Sequence, residues 1–292
     1  MIRDITLGQY YAADSVIHRL DPRTKLVGSL AYLISLFLFN SPYVYAIAAL
    51  FWILVVCLSH VPLRYMLKGL KPILFLLLFT LLINVFFTKG TPLFSIWKIT
   101  VTKEGLKQAL SVGVRLILLV LGSNMMTLTT TPTRLTNAME HLMAPLKLIR
   151  VPVHEIAMMM SIALRFIPIL LEETDRIMKA QLARGADFES GNIFKKAKSM
   201  VPVLVPLFIA AFRRAGDLAL AMEARCYHGG EGRTQYRPLR YRSRDLAAYL
   251  VLLLYLGILV AAGLLLKENT VPWTKAMLDH AAGISVSMSE VY

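Results

Sequence analysis

The sequence predicts an all-α membrane protein: about five transmembrane helices, with a helical domain on the cytoplasmic face inserted before the last span. Three observations carry this. The 292-residue chain is 57% hydrophobic and only 17% charged, whereas a soluble domain is roughly 45–50% apolar and about a quarter charged. Five runs approach the ~17–25 apolar residues that cross a bilayer. Lys and Arg are sparse within those runs and crowd into some of the loops between them.

The first run, Leu26 to Phe39, is short for a span. It gains length from Asp21-Pro22, where Asp suits an N-cap and Pro the first helical position. The turn Asn40-Ser41-Pro42 separates it from a second run, Tyr43 to Ser59. A third covers Pro72 to Thr88 and a fourth Gly105 to Thr131; the last, Leu246 to Leu266, carries no charge over twenty-one residues. The expected domains are therefore 1–131 with four spans, 132–245 outside the membrane, and 246–292 with the last span and an extracytoplasmic tail. With the N-terminus cytoplasmic, that side holds twenty-five Lys and Arg against six on the other. This favours N-terminus in and C-terminus out, in a multi-pass protein of the cell membrane.

The net charge of +14 is topology-setting charge beside an anionic leaflet. Nucleic acid is excluded as a partner, since no zinc-finger spacing or RNA-binding aromatic motif accompanies it. Cys57 and Cys226 are not expected to pair, and MIRDITLGQYYAADSVIHRLDPRTK lacks the compact apolar stretch of a cleavable signal. The six histidines show no ligand spacing, so no metal site is expected. Without G-x-x-x-x-G-K-[ST], any ATP-driven work falls to partners. The chain itself is expected to be neither enzyme nor cofactor carrier.

Residues 132–245 contain two runs of helical periodicity. One places Ile156, Met159, Ala163, Phe166, Leu170, Ile177 and Ala180 on a stripe, and the other Leu204, Leu207, Ala211, Leu218, Met222 and Arg225. Glu172–Arg176 and Asp175–Lys179 have the favourable i,i+4 order. Prolines 152, 168, 202 and 206 are expected to break each run into a shorter and a longer helix. Val151–Leu171 and Val201–Phe212 could also be further spans, but charges in the first and the shortness of the second favour amphipathic helices at the cytoplasmic face.

Both runs end alike, in AQLARG (180–185) and AMEARC (221–226). A terminal Arg stabilises a helix C-terminus by itself, and Gly185 and the Gly229-Gly230 pair suit helix ends. The repetition adds a second meaning. Small residues at Ala180/Ala183 and Ala221/Ala224 allow close approach, and Arg pairs bidentately with carboxylates. Two such tips suit two similar acidic pockets. Met158, Met159 and Met160, with Met178 and Met200, read either as core filling or as a surface that repacks against partners. Arg115, within the fourth run, either faces a partner or wet cavity or snorkels to the outer surface. Asp21 and Arg23 read as a helix start with positive-inside charge, or as a contact with the inserted domain.

The sequence resembles the T component of energy-coupling-factor (ECF) transporters in three places: DSVIHRLDPRTKL (Asp14–Leu26), ALRFIPILLEETDRIMKAQLARG (Ala163–Gly185) and AMEARCY (Ala221–Tyr227). The resemblance implies a membrane scaffold whose two coupling helices end in x-Arg-x triplets. Here these are Ala183-Arg184-Gly185 and Ala224-Arg225-Cys226, each docking into one of two cytoplasmic ABC-type ATPases. A membrane-embedded substrate-binding S subunit would sit against the chain, and ATP and Mg would be bound by the ATPases alone. Vitamins or other micronutrients would be the cargo, with a shared scaffold for several S subunits favoured over a dedicated metal importer. Cys226 stands where Gly185 does, so the two ends need not terminate alike. The alternative is a membrane-surface enzyme such as a lipid transferase, with Asp175, Asp187 and Glu189 as its nearest acids. A self-sufficient secondary transporter is disfavoured because, apart from Arg115, no ionisable side chain lies well inside the spans and no transmembrane half is repeated.

Overall fold

The computed structural model describes residues 10–88, 91–96, 99–188, 192–229 and 239–265. They fall into two compact units, one of residues 10–131 with 239–265 and the other of 132–229.

The first unit holds α1 (Pro22–Leu38), α2 (Pro42–Ser59), the short α3 (Leu63–Lys68), α4 (Leu74–Phe87), α5 (Lys103–Thr129) and α9 (Ser243–Leu265). Local chemistry sets the ends. Asp21 caps α1 by accepting from the Arg23 amide at 2.9 Å, with Pro22 in the first turn. Thr102 caps α5 by accepting from the Gly105 amide at 3.1 Å. Between α4 and α5, strands β1 (Pro92–Ile96) and β2 (Ile99–Thr102) form an antiparallel hairpin with a register shift between Pro92 and Phe94. β-Branched and aromatic residues favour it, and it is a small addition to an all-helical architecture.

One core joins α1, α2, α5 and α9 through Tyr32, Leu36, Phe39, Val44, Tyr45, Leu118, Leu252, Tyr255 and Leu259. Lipid is as apolar as leucine, so close packing and interhelical hydrogen bonds, rather than hydrophobic expulsion, hold such helices together. The Ser35 and Tyr255 hydroxyls lie 2.7 Å apart, and the Phe51 and Tyr255 rings stack at 4.2 Å. Gly263 admits Phe39 so closely that a Cβ there would lie 2.7 Å from its ring. The outer faces are apolar as well: Leu50, Phe75, Phe79, Leu250, Leu253 and Leu254 are exposed, as a lipid-facing surface requires.

The helices long and apolar enough to cross a membrane are Pro42–Ser59, Leu63–Phe87, Lys103–Thr129, Val153–Ala183 and Ser243–Leu264, five among the described residues. The number agrees with the sequence expectation, but the set differs. At 17 residues α1 falls just short, while Val153–Ala183, expected to be an amphipathic surface helix, qualifies. The packing constrains what that means. The Asp21 amide donates to Asp245 Oδ1 at 2.7 Å, Lys25 Nζ to the Thr129 carbonyl at 2.8 Å, and the Tyr11 amide to the Leu128 carbonyl at 2.9 Å. The starts of α1 and α9 and the end of α5 therefore share one face. The chain between α5 and α9 leaves and re-enters on that face, so it crosses a membrane an even number of times or not at all.

The second unit holds α6 (Pro132–Leu142), α7 (Val153–Ala183) and α8 (Ile193–Glu223). His154 Nδ1 and Glu140 Oε1, 2.8 Å apart, join the first turn of α7 to α6. The expected proline breaks are absent: α7 and α8 are each continuous for 31 residues, with Pro168 inside one and Pro202 and Pro206 inside the other. Each proline removes an amide donor, and for Pro206 the Gln181 side chain of α7 supplies a replacement to the Pro202 carbonyl at 3.2 Å. Only Pro152 marks a boundary, at the N-cap of α7. The stripe on α8 is also shifted: Val203 is buried and Leu204 exposed.

Candidate functional site: two arginine-tipped helix ends

A helix leaves its last carbonyls without intrahelical donors, and a residue in the left-handed region just past the end can fold the chain back to satisfy them. At the end of α7, Gly185 takes that conformation, with φ of 85°. Its amide donates to the Leu182 carbonyl at 2.9 Å, and the Ala186 amide to the Gln181 carbonyl at 3.0 Å. Arg184 is thereby the C-cap residue. At the end of α8, Cys226 has φ of 55°. Its amide donates to the Glu223 carbonyl at 2.8 Å, and the Tyr227 amide to the Met222 carbonyl at 3.1 Å. The two hydrogen-bond pairs match position for position, and both are Schellman ends. Although Cys226 stands where Gly185 does and the two ends need not terminate alike, they do: Cys226 adopts the left-handed turn despite its Cβ, at a cost of about 1–2 kcal/mol. Gly229, with φ of 103°, lies beyond a helix already closed at Cys226, and Gly230 is outside the described residues.

Both triplets, Ala183-Arg184-Gly185 and Ala224-Arg225-Cys226, are exposed, and neither arginine makes an ion pair among the described residues. Their separation follows from how α7 and α8 pack. Gln181 Nε2 donates to the Pro202 carbonyl at 3.2 Å, and Arg214 Nη2 to Glu173 Oε2 at 2.8 Å. Moving back along α7 moves forward along α8, so the helices run antiparallel. From Pro202 to Arg225 the axis extends roughly 35 Å at 1.5 Å per residue, which places the two tips toward opposite ends of the pair.

The Gln181 contact has a specific cause. In an uninterrupted helix the Pro202 carbonyl would accept from the amide of residue 206, but residue 206 is proline and has none. Gln181, three residues before Arg184, supplies the missing donor. The sequence reading passed over Gln181 because its partner is a backbone carbonyl; the signal was Pro202 and Pro206 at a spacing of four. Glu173–Arg214 was missed too. The i,i+4 pairs Glu172–Arg176 and Asp175–Lys179 do not close to within 4 Å, while adjacent Glu173 reaches across to α8. Exposed same-helix pairs are worth little, so losing them costs little.

The other candidates divide. Met159 and Met160 are exposed on α7, while Met158 is half-buried. Arg115 is used inside its own unit. Its Nε donates to Tyr45 Oη at 2.9 Å and its Nη2 to Asn40 Oδ1 at 3.2 Å and to Tyr45 Oη; the guanidinium also lies 5.6 Å from the Phe37 ring centroid. Asp21 caps α1, and Arg23 lies over the Tyr241 ring at 5.4 Å. Asp245 is a hub that the sequence did not reveal: buried, it accepts from the amides of Asp21 and Arg242 at 2.7 and 2.8 Å. His18 is buried, with Nδ1 2.7 Å from Ser15 Oγ and Nε2 2.9 Å from the Tyr11 carbonyl. Burial lowers its pKa below the ordinary histidine value and the Lys25 charge adds to this, against the hydrogen bond to Tyr11. Of the acids that an enzyme would use, Asp175 is half-buried, Asp187 is exposed and Glu189 lies outside the described residues. Cys57 and Cys226 are free thiols, and no three His, Cys, Asp or Glu side chains converge among the described residues.

Comparison with known proteins places this architecture. The family described as CbiQ, cobalt transport protein, matches residues 13–236. The chain is similar to the energy-coupling factor transporter transmembrane protein EcfT of Ruminiclostridium cellulolyticum, 54% identical over 84% of this chain and 92% of the relative. It is similar to the protein of the same name from Acidaminococcus fermentans, 54% identical over 87% and 94%. The corresponding protein of Thermosediminibacter oceani is 52% identical over 85% and 94%. The chain therefore belongs to this family of multi-pass transmembrane components of energy-coupling-factor transporters.

Proposed function

We propose that this chain is the scaffold that couples two cytoplasmic ATPases to a membrane-embedded substrate-binding S subunit, for uptake of vitamins or other micronutrients. The observation that carries the proposal is the matched pair of helix ends. Arg184 and Arg225 each occupy the C-cap of a Schellman end, exposed and without an ion-pair partner among the described residues. An antiparallel pair cross-braced at Glu173–Arg214 and Gln181–Pro202 can be pushed as one body, so a movement imposed at the tips travels along α7 and α8. A tip separation on the order of 35 Å gives each ATPase its own contact. ATP and Mg belong to those ATPases.

In this reading residues 132–245 form the coupling domain, at the cytoplasmic face, and the N-terminus is cytoplasmic while the tail after α9 is not. The even-crossing constraint supports this for α7, which could not cross alone, as does the excess of Lys and Arg, twenty-five against six. Exposed Phe208, Ile209 and Phe212 on α8, with Met159 and Met160 on α7, give the domain apolar surface for partners.

The test is purification of the tagged chain from its native membrane in mild detergent, with partners identified by mass spectrometry. The wild type should bring down two ATPase chains and at least one small membrane protein, whose identity names the cargo. The Arg184→Glu/Arg225→Glu variant should lose the ATPases. Wild-type ATPase recovery with that double reversal would overturn the coupling role.

A further inference from the structure

The first unit contains a cavity of about 280 Å³ between α1, α2, α5 and α9, and neither the helix tips nor the family relationship accounts for it. Its two ends differ chemically. At the face where α1 and α9 begin, it is lined by Lys25, Arg244 and Thr129; inward it is lined by Tyr32, Phe51 and Leu252. From Thr24 to Tyr32 along α1 it runs about 12 Å at 1.5 Å per residue. Leu54 and Leu58 of α2 and Val251 of α9 line it and are also exposed, so it opens sideways between those helices, toward lipid. Small residues make the space: a Cβ built on Gly28 meets nothing within 4 Å.

Two further observations bear on the occupant. The Tyr32 hydroxyl and Trp52 indole nitrogen, both on lining residues, are buried without a hydrogen-bond partner. At the mouth the charge is positive. The nearby acids are committed to backbone amides, Asp245 to those of Asp21 and Arg242, and Asp21 to that of Arg23. Lys25 donates to the Thr129 and His18 carbonyls. Arg244 is exposed and makes no ion pair among the described residues.

We propose that this cavity is a binding site for one anionic phospholipid, with its phosphate at Arg244 and an acyl chain entering between α2 and α9 toward Tyr32. A membrane-spanning protein meets this ligand at high concentration, and the combination of cationic mouth and apolar depth matches its two ends. A zwitterionic lipid would gain the chain contacts without the net charge. Basic side chains near a membrane surface each favour anionic lipid by about fivefold. The site would fix the relative positions of α1, α2, α5 and α9 at the face where the 132–242 segment joins them.

Trp52 lines the cavity and reports on it directly. The full-length chain with Trp97→Phe and Trp273→Phe, which lie outside the described residues, keeps Trp52 as its one tryptophan. It is reconstituted in phosphatidylcholine vesicles containing a small fraction of lipid brominated on the acyl chain, carried by either phosphatidylglycerol or phosphatidylcholine. Brominated phosphatidylglycerol should quench Trp52 at about fivefold lower mole fraction than brominated phosphatidylcholine. Gly28→Phe, which fills the cavity, should reduce quenching by both lipids. Arg244→Gln, at an exposed position where folding is not at risk, should bring the phosphatidylglycerol curve down to the phosphatidylcholine curve. Equal quenching by the two lipids in the parent, or a preference that survives Arg244→Gln, would overturn the proposal.

Discussion

Replacing Gln181 with Leu removes the donor to the Pro202 carbonyl and keeps most of the side-chain volume, so the hydrogen bond is what changes. A typical hydrogen bond contributes about 0.5–1.5 kcal/mol net. This one, 3.2 Å long and solvent-exposed, belongs near the middle or lower part of that range, because water can replace the lost donor. The expected loss is about 1 kcal/mol. It should appear as roughly fivefold faster hydrogen exchange in the last turn of α7, at the amides of Ala180 to Arg184. The reasoning makes a stricter claim through Pro206→Ala. Alanine restores an amide at 206, which satisfies the Pro202 carbonyl within α8. In that background Gln181→Leu should cost no more than a few tenths of a kcal/mol, leaving a coupling of about 1 kcal/mol between the two sites. Equal exchange acceleration in both backgrounds would show that Gln181 acts by packing alone and refute the account of the braced helix pair.

Three further predictions concern the helix ends, the Asp245 hub and His18. Cys226→Gly should stabilise the end of α8 by about 1 kcal/mol and Gly185→Ala should destabilise that of α7 by a similar amount, since both positions are left-handed; exchange at the two termini measures both. Asp245→Ala strands the buried amide of Asp21 at about 1–3 kcal/mol and removes the acceptor of the part-buried Arg242 amide, and should lower the thermal midpoint in detergent by several degrees more than Asp14→Ala, at an exposed position. His18 has a pKa below its unfolded value of about 6.5, so the stability that it confers is present above that value and lost as pH falls through the folded pKa. Protection of the Tyr11 amide bonded to Leu128 should drop on acidification below neutrality, and His18→Asn should remove that dependence.

The parts of the fold legible in the sequence were those written in local chemistry. Asp21-Pro22 announced the start of α1, and Asn40-Ser41-Pro42 its turn into α2, because caps and prolines act within a few residues. The two arginine tips were legible because the same short motif recurs at two helix ends. What stayed hidden depends on partners distant in sequence. Asp245 reads as one more charge in a basic segment until Asp21, 224 residues away, comes beside it. Arg115 looked like an intramembrane charge in need of a partner because Asn40 and Tyr45, which hold it, are ordinary residues at a turn. The proline reading failed for a related reason: a proline predicts a lost amide, not whether Gln181 will replace it. The Cys226 turn was the hardest to foresee, since a non-glycine residue gives no warning that it will be left-handed.

The central claim is that Arg184 and Arg225 are separate contacts for separate ATPases, and native mass spectrometry of the purified complex tests it most directly. Wild type should carry two ATPase subunits per chain. Arg184→Glu and Arg225→Glu alone should each yield a species with one ATPase, the two variants should retain opposite subunits if the ATPases differ in mass, and the double variant should carry none. Single variants that keep both ATPases at wild-type occupancy, or a double variant that keeps either, would contradict the claim.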